Sequence, residues 1–294
     1  MPRQPRPHWF RMLFMLRGSV LPRIAFQLVL TFAMGCWAWY ASRLPWPWNL
    51  SYTPAPFGFL GVSLAVFLGF RNSASYDRWW EARKLWGLVV IHARSVARQS
   101  VTLLDSPARA QQIVRLLAAF VHALRYQLHD CDPRAGIAPW LTSDELATVM
   151  AAPCRPQAVV TLIAQQLAEA RRAGEIDPIL LPAIDSQLAG LEFALASCQR
   201  IAGTPLPFIY SLIIHRTVHL YCIALPFGLA QTVGVLTPLV TTFVAYPFFA
   251  LEALAQEIEE PFGTSGNALD IAGMSQALAE ELLASVPPAE LAGA

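Results

Sequence analysis

Residues 58–86 read GFLGVSLAVFLGFRNSASYDRWWEARKLW, and the reading of this stretch decides the fold. It begins as an apolar run spaced by Gly58, Gly61 and Gly69, then turns polar at Arg71, Asn72 and Ser73. Helical register continues through Tyr76, Asp77, Arg78, Trp79, Trp80, Glu81 and Arg83 without a turn signal. A helix needs about 20 apolar residues to cross the hydrocarbon, and the apolar part here, residues 57–70, is too short alone. It spans only if the helix runs on and its lower part lies within protein or a wet vestibule, where polar groups find partners. The glycines suit close approach of helix backbones in a membrane. Val62, Val66 and Phe70 fall at i, i+4, i+8 and share one helical face. On the residues alone, that face reads as bundle packing.

The composition agrees with a membrane chain. Hydrophobic residues make up 55% of the 294 and charged residues 14%, against about 25% charged in average soluble domains. A net charge of +1 leaves no basic footprint for nucleic acid. The five cysteines (Cys36, Cys131, Cys154, Cys198, Cys222) are scattered with no CxxC, and their odd count argues against a disulfide framework or a zinc site. The arginines at 3, 6, 11, 17 and 23 make the start basic, and no small-residue cleavage site follows them. Residues 1–23 read as a basic interfacial segment, with a short helix over residues 9–16.

Residues 21–41 form the first expected span, uncharged between Arg23 and Arg43, with Trp37, Trp39, Tyr40, Trp46 and Trp48 as an interfacial aromatic belt. Pro45, Pro47, Pro54 and Pro56 mark a loop before the second helix. Residues 21–100 therefore hold two membrane helices and a polar continuation of the second. Arg71, Arg78, Arg83, Lys84, Arg94 and Arg98 place that continuation, with both termini, on the cytoplasmic side. Asp77 with Arg78, and Glu81 with Lys84 or Arg78, are expected as helical ion pairs.

Residues 101–204 read as a helical cytosolic region. Ser106-Pro107 is an N-cap followed by proline at N1, and Ile113, Leu116, Leu117, Phe120, Val121, Leu124 and Leu128 recur with helical period. His129-Asp-Cys-Asp-Pro133 stops that helix; its consecutive acids suit a solvated turn better than a metal site. Thr142 and Glu145 form a capping-box pattern. A helix over residues 157–172 ends near Gly174, and Asp177-Pro178 is expected to start the next, which continues to Arg200.

Residues 205–254 hold the third and fourth membrane helices, about 208–230 and 239–254, joined by a charge-free turn. His215, Arg216 and His219 lie within the third, where ionisable groups at membrane depth are functional candidates; Arg216 is expected to pair with an acid of the bundle. His215 and His219 have i, i+4 spacing, but no third ligand or intervening Glu accompanies them, so no metal is assigned. Glu252, Glu257, Glu259 and Glu260 cluster after the fourth helix. Residues 255–294 form a cytosolic tail with one amphipathic helix over 274–283.

Three motifs carry a family resemblance: the run RNSASYDRWWEAR after Phe70, the stretch TPLPFIYSLIIHR from Thr204, and EEPFG at Glu259–Gly263. Together they resemble the bestrophins, specifically the bacterial branch. The resemblance implies an all-α polytopic membrane protein with four transmembrane helices per subunit and a helical cytosolic domain, pentameric around one axial pore. By it, Val62, Val66 and Phe70 become an apolar neck that gates by dewetting, and Leu206, positioned by Pro207, becomes a cytosolic constriction. His215, Arg216, Glu252 and Glu257 are the charge-selecting or gating candidates. Calcium-activated animal members carry an acidic run after PFG; here Thr264–Asp270 offers only Asp270, while calcium takes six to eight oxygens. Calcium gating is therefore not expected.

The resulting expectation is a homopentameric channel for monovalent ions in a bacterial inner membrane, in contact with lipid, without cofactor. It leans to cations, because the bacterial signature is present and the acidic clasp is not. An anion channel of the same architecture is the alternative, and a non-conducting scaffold or sensor is the further one. A secondary transporter would show repeated halves with interrupted helices, and the chain shows none. No nucleophile–base pair or phosphate loop supports an enzyme.

Overall fold

The structure, a computed structural model, describes residues 19–44 and 53–286. The expected interfacial helix at residues 9–16, and Trp46 and Trp48 of the aromatic belt, lie outside the described residues. All regular structure within them is helical. The helices are α1 (Leu21–Ala41), α2 (Ala55–Leu103), α3 (Pro107–Leu128), α4 (Arg134–Ile137), α5 (Ser143–Ala151), α6 (Arg155–Ala173), α7 (Leu181–Gly203), α8 (Phe208–Val233), α9 (Thr237–Glu259) and α10 (Ile271–Ala284). The chain divides into two units. One holds the chain up to Arg78, Pro205–Glu260 and Ser265–Asn267; the other holds Trp79–Thr204, Pro261–Thr264 and the chain from Ala268.

Among the described residues, three stretches are long and apolar enough to cross a membrane: Leu21–Ala41, Ala55–Leu103 and Phe208–Glu259. The third folds as α8 and α9, joined by a 3₁₀ turn at Gly234–Leu236. α2 runs without a break for 49 residues, about 74 Å at 1.5 Å per residue. No proline or positive-φ residue interrupts it after Pro56, so the polar switch at Arg71 changes what the helix touches and leaves its backbone intact.

In the first unit, Leu64, Leu68, Arg71 and Ser75 of α2 turn inward at helical spacing. The two leucines join Ile24 of α1, Val218 and Tyr221 of α8 and Phe249 of α9 in one apolar core. Close approach is built in at two glycines. A Cβ on Gly35 of α1 would stand 2.5 Å from the Pro238 Cα of α9. One on Gly61 of α2 would stand 2.6 Å from the Tyr221 hydroxyl, which donates to the Phe57 carbonyl at 3.2 Å. Gly58 and Gly69, also expected to bring backbones together, meet nothing within 4 Å of a built Cβ.

α9 is longer than its apolar run. The sequence reading ended it at residue 254 with the glutamates beyond; the helix continues to Glu259 and carries Glu252, Glu257 and Glu259 on it. Its last acids find basic partners, described below, so nothing forces the helix to stop where charge begins.

The second unit is built around α3. Every residue from Leu116 to Leu124 is buried, as in a helix surrounded on all sides, and α6, α7 and α10 pack against it. Trp86, Val89 and Ala93 of α2 enter the same core. Local signals set the helix ends. Ser106 accepts from the Arg109 N–H at 3.4 Å. Thr142 and Glu145 form a reciprocal capping box. Gly174 closes α6 at φ 75°. Asp177-Pro178 does not start a helix: the Asp177 carboxylate accepts from the Ile179 N–H at 2.9 Å, a local turn that delays α7 to Leu181. The 129–133 stretch is a turn with Asp130 at φ 52°, and Asp132 accepts from the Arg134 N–H at 3.0 Å.

Candidate functional site

The candidate site lies in the membrane unit and consists of an apolar stripe and a charged cluster. Val62, Val66 and Phe70 are 67%, 51% and 65% exposed, although each is hydrophobic and sits on a membrane helix. They face away from the core built by Leu64 and Leu68 one residue row round the helix. Among the described residues of one chain, these three side chains stay largely uncovered.

One residue beyond Phe70, the helix face reverses. Arg71 is 1% exposed and points at α9. Its Nη2 donates to Glu259 Oε2 at 3.2 Å, and its Nη1 lies 3.6 Å from Glu252 Oε1. That second distance is too long for a hydrogen bond, and Arg71 Nε and Nη1 make none; the attraction to Glu252 is Coulombic. A turn further on, Arg78 Nε donates to the Glu259 carbonyl at 2.8 Å, where a cation suits the negative end of α9.

Glu252 is buried and shared. His215 Nδ1 lies 2.9 Å from its Oε1, and the Gln256 side-chain amide donates to the same oxygen. A carboxylate only accepts, so the His215 proton is on Nδ1. His219 Nδ1 lies 2.8 Å from the His215 carbonyl, which places its proton on Nδ1 by the same argument. The two imidazole rings lie 4.1 Å apart. Glu257 serves the other end of the cluster: Arg23 of α1 donates to it at 2.7 Å, and the Asn267 amide at 2.5 Å.

Three of the four sequence candidates, His215, Glu252 and Glu257, take part in this cluster. His215 and Glu252 meet directly, and Glu257 ties α9 to the start of α1. Arg216, expected to pair with an acid, is exposed and makes no ion pair among the described residues. Arg71 holds the place that Arg216 was expected to take. The pairing of Asp77 with Arg78 is also corrected: Arg78 turns to Glu259, and Asp77 is exposed with no ion pair among the described residues. Adjacent residues point about 100° apart on a helix and do not face each other. Glu81 pairs with Arg200 at 2.6 Å instead of Lys84. Leu206 is half-buried and Pro207 exposed; Pro207 is the N-cap of α8, so Leu206 sits in the bend just before that helix. Asp270 caps α10, accepting from the Gly273 N–H at 2.8 Å. No group of three His, Cys, Asp or Glu side chains suited to a metal occurs among the described residues.

Residues 1–284 match the family described as Bacterial/Fungal Bestrophin protein. The chain is a member of that family. This bestrophin is 46% identical over 277 residues to the voltage-dependent anion channel-forming protein RSc3414 of Ralstonia nicotianae, covering 92% of this chain and 90% of the relative. It is 39% identical over 290 residues to the voltage-dependent anion channel-forming protein YneE of Escherichia coli, covering 98% and 95%. The crystal structure of a bacterial bestrophin homolog from Klebsiella pneumoniae superposes with a TM-score of 0.87 at 36% identity, covering 90% of this chain and 98% of that one. The all-helical fold of this bestrophin is therefore that of a solved family member, and it is a multi-pass membrane protein.

Proposed function

We propose that this bestrophin assembles as a homopentamer and conducts monovalent ions through an axial pore lined by α2, with Val62, Val66 and Phe70 as an apolar neck. The carrying observation is the uncovered stripe. Three large apolar side chains at consecutive turns are more than half exposed on the helix that also carries the family signature. A ring of such helices brings the stripes together around an axis, and an apolar constriction controls ion flow by its wetting. Four helices, α1, α2, α8 and α9, cross the bilayer, and the arginines beyond residue 70 put both termini in the cytoplasm of a bacterial inner membrane. Leu206 forms a second constriction before α8. Asp270 is already engaged as a helix cap and is the lone carboxylate of Thr264–Asp270, which supports conduction without calcium.

On selectivity, the names of the two relatives, both channel-forming proteins for anions, support anions as the permeant class. The lean towards cations from the sequence stands as the second reading, with Asp77 as the observation in its favour. The test is bilayer recording of the purified protein in asymmetric NaCl. A reversal near the chloride potential supports the anion reading and one near the sodium potential the cation reading. Silence from protein shown to be an assembled oligomer refutes the channel.

A further inference from the structure

We infer that Asp77 forms a ring of carboxylates beyond the neck and holds down the permeability of anions relative to cations. The inference rests on the channel reading above and deepens it.

The charges between residues 71 and 78 go to two different faces of α2. This stretch of α2 holds Arg71, Asp77 and Arg78. Both arginines turn to α9: Arg71 to the carboxylates of Glu259 and Glu252, and Arg78 to the carbonyl at the C-terminal end of that helix. Asp77 alone faces outward, exposed and without an ion pair among the described residues. The expected neutralisation by its neighbour in sequence does not occur, because the neighbour is engaged across the bundle.

Helix register then places that carboxylate. Seven residues advance about 700°, roughly 20° short of two full turns, so Asp77 lies almost directly beneath Phe70 on the stripe of Val62, Val66 and Phe70. The rise is about 10 Å. Ser73, exposed and polar, lies between them on the same line. The stripe thus passes from apolar to hydroxyl to carboxylate within two turns. An unpaired carboxylate against lipid is costly, so this face meets water. If the stripes of all subunits surround one axis, so do their Asp77 carboxylates, about 10 Å beyond Phe70. A ring of acidic side chains at a pore mouth concentrates cations and repels anions. Its effect has the same direction whichever ion the wild type prefers.

The test uses full-length protein in planar bilayers, with the chloride-to-sodium permeability ratio measured in asymmetric NaCl. Asp77→Asn is expected to raise that ratio at least about threefold at 0.1 M salt, Asp77→Lys to raise it further, and Asp77→Glu to keep the wild-type value. The Debye length falls from about 10 Å at 0.1 M to about 3 Å at 1 M, so the Asn effect shrinks at high salt, which a merely structural change would not do. Asp144→Asn, an exposed acid on α5, leaves the ratio unchanged. An unaltered ratio in Asp77→Asn and Asp77→Lys, while alanines at Val62, Val66 and Phe70 change the current, overturns the role of Asp77 and keeps α2 in the pore. If the neck variant is also without effect, or wild type is silent, the channel reading fails and this inference with it.

Discussion

Replacing Arg71 with methionine removes a buried cation that faces the buried carboxylate of Glu252 and the half-buried one of Glu259. Arg71 is 1% exposed, and the side chains of Glu252 and Glu259 are 7% and 14% exposed. Breaking a buried pair by deleting one partner costs about 3–5 kcal/mol, because the remaining charge stays desolvated. The lower end applies here. Arg71 makes one hydrogen bond, to Glu259, and Glu252 keeps His215 and Gln256 as donors. A loss of about 3 kcal/mol is roughly a hundredfold in the folding equilibrium. At about 2–4 °C per kcal/mol for a chain of this order of size, the melting temperature in detergent drops by roughly 6–12 °C. Thermal unfolding followed by tryptophan fluorescence and size-exclusion reads this directly. The companion variant replaces Arg71 by Met and both Glu252 and Glu259 by Gln, leaving no uncompensated charge. Neutral replacement of a whole buried ionic group is often close to neutral in stability, so most of the loss should return. A fall below about 1 kcal/mol in Arg71→Met, or a triple variant no more stable than the single, refutes the argument that desolvated charge dominates this cluster.

Other outcomes follow from the same structure. Under the proposed neck, truncating Val62, Val66 and Phe70 together to alanine is expected to raise single-channel current by widening and wetting the constriction; unchanged current from an intact oligomer removes them from the pore. Leu206→Ala alters relative permeability or rectification in the same recordings. Gly35→Ala destabilises the membrane unit by about 1–3 kcal/mol, since the new Cβ would meet the Pro238 backbone at 2.5 Å and overpacking has that cost; thermal unfolding measures it. Burial and the nearby Arg125 hold His122 and His129 of the second unit below the ordinary histidine range. The unfolded chain therefore binds more protons, and the stability of the neutral folded state is present above about pH 6.5 and lost as pH falls below it. Each group contributes a slope of up to about 1.4 kcal/mol per pH unit. His122→Asn should flatten the acid limb of a plot of stability against pH between 4 and 7, and an unchanged slope would refute the assignment.

Much of the fold was legible as local chemistry. The run uncharged between Arg23 and Arg43 predicts a span over residues 21–41, and α1 covers Leu21–Ala41. The Ser106 cap, the Thr142–Glu145 box and Gly174 each act within a few residues of themselves, so a one-dimensional pattern suffices to find them. Asp177-Pro178 misled because an aspartate that caps a helix and one that closes a turn look alike until the next backbone N–H is placed. α9 outran its apolar stretch because Glu257 and Glu259 meet Arg23 and Arg71 from distant parts of the chain.

Consecutive residues alone specify a helical membrane chain whose second helix carries an apolar stripe and then a polar continuation, since hydrophobic period and span length are local properties. Only the tertiary structure decided which charges are spent and which remain. Arg71 is separated from Glu259 by 188 residues, and Arg78 from its Glu259 carbonyl by 181; no spacing rule connects them. Helix packing brings those groups to hydrogen-bond distance, turns both arginines inward and leaves Asp77 outward. The reason is physical. A helix presents adjacent residues about 100° apart, so neighbours in sequence face different surroundings, and a buried cation needs a partner, which for Arg71 comes from α9.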